Sequence, residues 1–260
     1  MKIEFSKFQG TGNDFVILDN WNGKYGNLTK EQIRKICDRR FGIGADGLML
    51  LNLKEGFDFA MQYYNADGKE STMCGNGGRC LVKFAYQQGL HKDSYTFLAA
   101  DGPHEAEIDL NGWVRLRMKN VEGVEAGADH SLLNTGSPHF VKFVADVRGR
   151  DVREEGREIR YSKPFAQDGI NVNFVENLDD HTIYVRTYER GVEDETYSCG
   201  TGVTAAALMA FHNEIGFNQV DVQTLGGKLS VEFERDDDSH YSNIWLVGPA
   251  VYVFKGEIDI

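Results

Sequence analysis

The chain has 260 residues, an apolar share of 41%, and 28 Lys plus Arg against 40 Asp plus Glu, for a formal charge of −12. This is the composition of a globular protein of one large or two ordinary domains. It excludes a phosphate-tracking surface, because no basic cluster is longer than the run around Arg34 to Arg40, and nucleic acid is a poor partner. The opening Met1-Lys-Ile-Glu-Phe-Ser lacks the apolar core of a signal peptide and no apolar stretch is long enough to cross a bilayer, so a cytoplasmic protein without membrane contact is expected. Cys37, Cys74, Cys80 and Cys199 are too few for a disulfide framework in a chain of this length, which leaves packing, metal or chemistry as their roles.

In chain order, Ile33, Ile36, Cys37 and Phe41 share one helical face, where Cys37 is expected to pack. The glycine-rich Gly42-Ile-Gly-Ala-Asp-Gly47 lacks the spacing of a dinucleotide fingerprint. An alternating strand over residues 59–64 precedes Cys74, and Leu81, Phe84 and Ala85 recur at helical spacing after it until Gly89 supplies a stop. Cys80 is expected on another side of that helix, also as packing. A strand, a turn at Gly102 and a return strand follow. The same plan then repeats: a strand over 182–188, Cys199, a helix marked by Ala206, Leu208, Met209 and Phe211 with Gly216 as its stop, a turn at 226–227 and a return strand. Asp236-Asp-Asp238 reads as a solvated hairpin tip.

The repetition is explicit in the letters. Cys74-Gly-Asn-Gly77 and Cys199-Gly-Thr-Gly202 lie at an offset of 125 residues, which also pairs Asn65 with Arg190, Glu70 with Glu195, Ser71 with Thr196 and Gly102 with Gly227. A fainter echo joins Thr11-Gly-Asn-Asp-Phe-Val to Thr135-Gly-Ser-Pro-His-Phe-Val, with one residue inserted. A period this long implies a duplicated domain rather than a solenoid. Two α/β halves with a join near Asn120 are the natural reading, and Glu122–Asp129 is the nearest Gly-rich polar stretch.

A cysteine immediately before a helix sits where backbone N–H groups lack intrahelical partners and the dipole is positive, a setting that favours the thiolate. The glycines after it let the backbone approach a ligand, and the amides form an anion site. One such cysteine is most often structural, but two at matching positions point to a shared ligand. If both helix starts served one α-carboxylate, Cys74 and Cys199 would flank its α-carbon. One sulfur would take the proton as thiolate and the other return one as thiol, inverting the stereocentre while the amides stabilise the carbanion. Metal chemistry has little support, with no Cys-x-x-Cys or His-x-x-x-His. His139, beside Pro138, most resembles a satisfied structural group.

At these residues the chain resembles the diaminopimelate epimerase family over essentially its whole length. The likeness rests on Gly12-Asn-Asp-Phe15, Asn65-Ala-Asp-Gly68, Cys74-Gly-Asn-Gly77 with Arg79-Cys80, Tyr188-Glu-Arg-Gly191, Glu195-Thr196, Cys199-Gly-Thr-Gly202 and Gly248-Pro-Ala250. It implies an α+β fold of two pseudo-symmetric domains, each a mixed sheet curled into a barrel around a central helix. The halves are then 1–118, completed by a returning strand at 249–260, and 119–248. The implied reaction converts LL-diaminopimelate to the meso form without a cofactor or metal, in lysine and cell-wall precursor synthesis, in an enzyme that is commonly a homodimer. By the same resemblance Cys74 and Cys199 are the catalytic pair. Gly75, Asn76, Gly200 and Thr201 hold the α-carboxylate, and Asn13, Asn65, Asn171, Glu189 and Arg190 hold the distal end. Arg190 suits a carboxylate in fork geometry, although a bland ion pair between Glu189 and Arg190 at a strand end is the alternative. Gly47 stands where many members carry Gln and Ser137 where they commonly have Asn; with His139 these are candidate rim residues.

Other functions fit the same pair of cysteines. A proline or hydroxyproline racemase would use the same sulfurs, but Asn76 replaces the His typical there, and the polar set at 65, 171 and 190 suits a second charged end. A histidine racemase, a thiol-redox protein and a non-catalytic amino-acid binder complete the alternatives.

Overall fold

The structure is a computed structural model that describes residues 1–210 and 213–260. The chain divides into two compact units, Met1–Leu116 with Gly248–Ile260, and Arg117–Val247. Elements of the first unit run β1 (Lys2–Gly10), β2 (Asn13–Asp19), α1 (Lys30–Cys37), β3 (Gly47–Asn52), β4 (Phe59–Asn65), β5 (Glu70–Ser71), α2 (Gly75–Gln87), β6 (Ser94–Ala99), β7 (Gly102–Ile108) and β8 (Trp113–Arg117). The second contributes β9 (Val124–Ala126), β10 (Ser131–Asn134), β11 (Pro138–Phe143), a 3₁₀ turn at Val147–Gly149, α3 (Val152–Arg160), β12 (Asn171–Asn177), β13 (Thr182–Glu189), β14 (Asp194–Thr196), α4 (Gly200–Leu208), β15 (Gly216–Thr224), β16 (Gly227–Arg235) and β17 (Tyr241–Pro249). The last strand, β18 (Val251–Asp259), returns to the first unit and pairs antiparallel with β1.

Each unit follows one plan. In the first, β18–β1–β2 are antiparallel, β2–β3 parallel, β3–β4 antiparallel, β4–β6 parallel and β6–β7–β8 antiparallel, with β5 folded onto β4. In the second, β9–β10–β11 are antiparallel, β11–β12 parallel, β12–β13 antiparallel, β13–β15 parallel and β15–β16–β17 antiparallel, with β14 folded onto β13. Parallel neighbours need a crossover. The connections holding α1 and α2 provide it in the first unit and those holding α3 and α4 in the second. Helix α2 touches β1, β2, β3, β7 and β18, strands from opposite ends of its sheet order, so the sheet curls around it. Helix α4 touches β11, β12, β13, β15 and β16 in the same manner.

Sequence explains these roles. α4, Gly-Thr-Gly-Val-Thr-Ala-Ala-Ala-Leu, carries no charge and is buried from Gly202 to Leu208, as a helix surrounded by strands must be. Helix α1 instead buries only Ile33, Ile36 and Cys37, and starts on a capping box in which Thr29 and Gln32 bond reciprocally. Phe41, expected on the same face, is 81% exposed, because α1 stops at Cys37 and the chain turns away before reaching it. Gly89, at φ 98°, lies just past the end of α2 as expected. α4 ends sooner than its pattern suggested, at Leu208, and Gly216 opens β15 rather than stopping a helix. Phe211, read as part of that helix, lies outside the described residues.

Candidate active site

The first unit delivers Cys74 as the N-cap of α2, in extended conformation, with no side-chain cap of its own. The first helical bond runs from Gly78 N–H to the Cys74 carbonyl at 2.7 Å, so the N–H groups of residues 75 to 77 have no acceptor within the helix. The β1–β2 hairpin tip, Thr11-Gly12, folds over this end. Thr11 takes φ 49°, a strained choice for a β-branched residue, and donates through Oγ1 to Asn76 Oδ1 at 3.4 Å. Cys74 Sγ donates to Asn13 Oδ1 at 3.5 Å, and Asn76 Nδ2 donates to the same oxygen at 3.4 Å. Asn13 in turn donates to Asp46 Oδ2 at 2.6 Å. Cys74, Asn76 and Asn13 therefore form one hydrogen-bonded group. Beneath it lies Arg79, fully buried, with its pKa lowered by burial to about 10 against the opposing pull of Cys80 and Cys74.

Asn65 and Gly47 do not join that group by any hydrogen bond. Asn65 ends β4 opposite Gly47 and is exposed. Gly47 is buried, and a Cβ there would come within 2.5 Å of the Tyr63 ring and the Tyr64 carbonyl. A longer side chain at 47 would have to displace β4, so this position offers ligand no more than backbone.

In the second unit Cys199 caps α4 in the same extended conformation and is 8% exposed. Its Sγ lies 3.5 Å from Thr201 Oγ1, and Thr135, at the β10–β11 hairpin tip, donates to the Thr201 carbonyl at 2.8 Å. The hairpin-tip threonine thus reaches the second helical residue in both units, Asn76 in one and Thr201 in the other. Ser137, Asn171 and Arg190 also come together. Asn171 Nδ2 donates to Ser137 Oγ at 2.9 Å and to the Pro138 carbonyl at 3.1 Å, and its Oδ1 accepts from Arg190 N–H at 2.8 Å. The Arg190 guanidinium donates to the Asp168 carbonyl at 2.8 Å and to Ser137 Oγ at 3.4 Å. Glu189, partly buried, closes β13 beside them.

His139 is fully buried opposite Asn171, its Nδ1 3.1 Å from Asn173 Nδ2. Burial first, then the nearby Arg190 charge, push its pKa down to about 3, against the Asn173 hydrogen bond. It is neutral at any physiological pH. Asn173 also donates to the Phe140 carbonyl and accepts from Thr187 Oγ1, both at 3.0 Å, and a Cβ at Gly202 would come within 2.3 Å of its Oδ1. This polar knot lies under the start of α4 as Arg79 lies under the start of α2. Sequence reasoning missed Asn173, Thr187 and any role for Arg79. The signal was available: a polar residue at an inward strand position in Asn-Val-Asn-Phe-Val, and an arginine in an otherwise buried helix.

The fold, a duplicated α+β unit built around a central helix in each half, is shared with two solved structures. A PhzF-family phenazine biosynthesis protein from Bacillus anthracis matches with a TM-score of 0.76 at 18% identity, covering 100% of both chains. A hydroxyproline epimerase from Agrobacterium vitis matches with a TM-score of 0.68 at 14% identity, covering 99% of this chain and 92% of the other. The sequence is more specific. The family model described as diaminopimelate epimerase matches residues 5–123 and 131–253, and a diaminopimelate epimerase from Flavobacterium psychrophilum is 49% identical over 257 residues, 98% of this chain and 100% of the relative. The chain belongs to the diaminopimelate epimerase family. It is an enzyme of the isomerase class.

Proposed function

We propose that this enzyme interconverts LL- and meso-diaminopimelate by two-base proton exchange, with Cys74 and Cys199 as the acid/base pair. The observation that carries the reading is the recurrence, in each unit, of an uncapped cysteine at the start of a buried helix with three backbone N–H groups unclaimed by that helix. The α-carboxylate binds to the amides of Gly75 and Asn76 and of Gly200 and Thr201, where the helix dipoles favour negative charge. A thiolate removes the α-proton from one face as negative charge spreads into the carboxylate, and the second thiol returns a proton to the other. Asn13, Asn65, Asn171, Glu189 and Arg190 bind the distal amino-acid end. The hold of Asn171 on the Arg190 backbone and of Asp168 and Ser137 on its guanidinium supports this, because it fixes that guanidinium in place for a carboxylate. On this reading the reaction belongs to lysine and peptidoglycan precursor synthesis, carried out in the cytoplasm. No helix among the described residues is long and apolar enough to cross a membrane.

The enzyme acts as a homodimer in this reading. Its support is β18, where Val251, Tyr252, Val253 and Phe254 are each 41–49% exposed, a run of apolar surface suited to a second copy.

Incubation with LL-diaminopimelate, proline, hydroxyproline and histidine in heavy water tests the substrate assignment. Deuterium at the α-carbon of diaminopimelate alone is the expected result. Exchange into one of the others, with none into diaminopimelate, would transfer the same chemistry to another racemase, and binding without exchange would leave only an amino-acid binder.

A further inference from the structure

Arg79 is 0% exposed, yet its guanidinium pairs with no carboxylate among the described residues. Its donors go to neutral atoms: Asn76 Oδ1 at 3.0 Å, Thr11 Oγ1 at 3.4 Å and the Gly75 carbonyl at 3.4 Å, while Nε has no partner. A buried cation without a counter-charge is costly, so its retention calls for an anion nearby. The Gly75 contact sets the guanidinium back along α2 against the residue that follows Cys74. The matching position in the second unit is Thr204, equally buried but neutral, its Oγ1 bonded to the Gly200 carbonyl at 3.0 Å. The two cysteine helices are alike in backbone and differ here by one whole charge.

We propose that Arg79 is a positioning residue for the epimerisation, making Cys74 rather than Cys199 the sulfur that ionises first, by releasing the proton it shares with Asn13 Oδ1, and locking the Asn76 carboxamide with its N–H₂ towards Asn13. The inference rests on the two-base reading above. Both Arg79 and Thr11 donate to Asn76 Oδ1, which leaves Nδ2 to face outward to Asn13 Oδ1, the oxygen that also meets Cys74 Sγ. Cys80 does not compete for the charge, since burial pushes its thiol up to about 12 in spite of Arg79.

Other charges on the strands around α2 are matched or exposed, Glu107 pairing with Arg115 and Glu4 and Glu105 facing solvent. From β1, Lys7 is paired with Asp14 at 2.7 Å, and from β2, Asp14 is also held by Arg39. Asp46, beyond Asn13, is paired with Arg39 at 2.7 Å. Asp101, which accepts from Met73 N–H, lies 3.2 Å from His104 of β7. Strand β3 carries no charge, and Lys255, Glu257 and Asp259 of β18 point to solvent. Arg79 alone among them brings an unmatched charge to the cysteine.

The test follows thiolate ultraviolet absorbance and iodoacetamide reactivity against pH in Cys199→Ser, where Cys74 remains, and in Cys74→Ser, where Cys199 remains, each with Arg79 intact and with Arg79→Met or Arg79→Lys. Cys37 and Cys80, both pushed up to about 12 by burial, stay silent over the range. The Cys74 midpoint is expected below that of Cys199, to rise by about one unit or more in Arg79→Met, and to return in Arg79→Lys, while Cys199 is unmoved. A Cys74 midpoint at or above that of Cys199, or one unchanged in folded Arg79→Met, overturns the proposal. If Arg79→Met does not fold, the comparison of the two cysteines with Arg79 intact decides. Epimerisation is assayed in Cys74→Ser alongside: inversion surviving there refutes the two-base reading itself, whereas an inactive variant with the wrong titration order refutes only the role of Arg79.

Discussion

Arginine serves this molecule in three distinct ways, and each environment dictates the use. Arg39 is half exposed and bridges Asp14 and Asp46, both at 2.7 Å, near the base of the β1–β2 hairpin. Burial alone would raise the Asp14 pKa, but its hydrogen bonds and charge contacts with Arg39 and Lys7 overcome that and bring it to about 2. Arg79 is sealed in with neutral partners. Arg190 is held at its backbone by Asn171 and at its guanidinium by Asp168 and Ser137, with the rest of its fork available to a ligand. Replacing it with alanine removes charge-assisted bonds worth about 1.5–3 kcal/mol, so Arg190→Ala is expected to raise KM for diaminopimelate by about tenfold or more with a smaller change in kcat. Steady-state kinetics check this. An unchanged KM beside a lowered melting temperature would reduce Arg190 to a structural group.

Strand β18 carries an apolar surface with no evident use within its own unit. Tyr252 and Phe254 lean on Phe8 and Phe5 with ring centroids at 5.6 and 5.8 Å, while Val251 and Val253 alternate with them along the strand and are exposed. Val253→Asp is expected to convert a dimer to a monomer in analytical ultracentrifugation, because a carboxylate buried against its own copy has no partner. A wild-type monomer at micromolar concentration, or a dimer that survives the substitution, would contradict the assembly. Elements also mark how far the sequence could be read. Cys74, Cys199 and their helices were legible because the letters repeat and the flanking glycines are conspicuous. The row across β11 to β13 was less so. His139 pairs with Asn171, and Glu189 lies one step beyond the Val172–Tyr188 pair, just as Phe15, Gly47 and Asn65 align across β2 to β4. The structural counterpart of Asn65 is therefore Glu189, not Arg190, and one extra residue in the β13–β14 connection restores the cysteine offset. A gap-free comparison of letters slips there by one position, because hairpin length is set by turn geometry that the letters do not spell out. Arg79 and Asn173 were hidden for another reason: their meaning lies in burial, which a helical or alternating pattern assigns to apolar residues by default.

Duplication supplies two similar helix starts, and two-base inversion of a stereocentre requires two sulfurs in different protonation states, a thiolate that takes a proton and a thiol that gives one. In the proposed mechanism, similar backbone with dissimilar buried side chains answers both needs, with Arg79 under one cysteine and Thr204, Asn173 and His139 in the surroundings of the other. The assignment of Cys74 and Cys199 to opposite faces of one carbon meets its most direct check in the epimerisation rates of Cys74→Ala and Cys199→Ala, measured from LL- to meso-diaminopimelate on protein whose circular dichroism matches the wild type. Each substitution is expected to lower the rate by about a thousandfold or more, since loss of one acid/base group alone forfeits about 10²–10⁴ and exchange from a single face returns the proton with configuration retained. Inversion at near wild-type rate in either variant would contradict two-base catalysis.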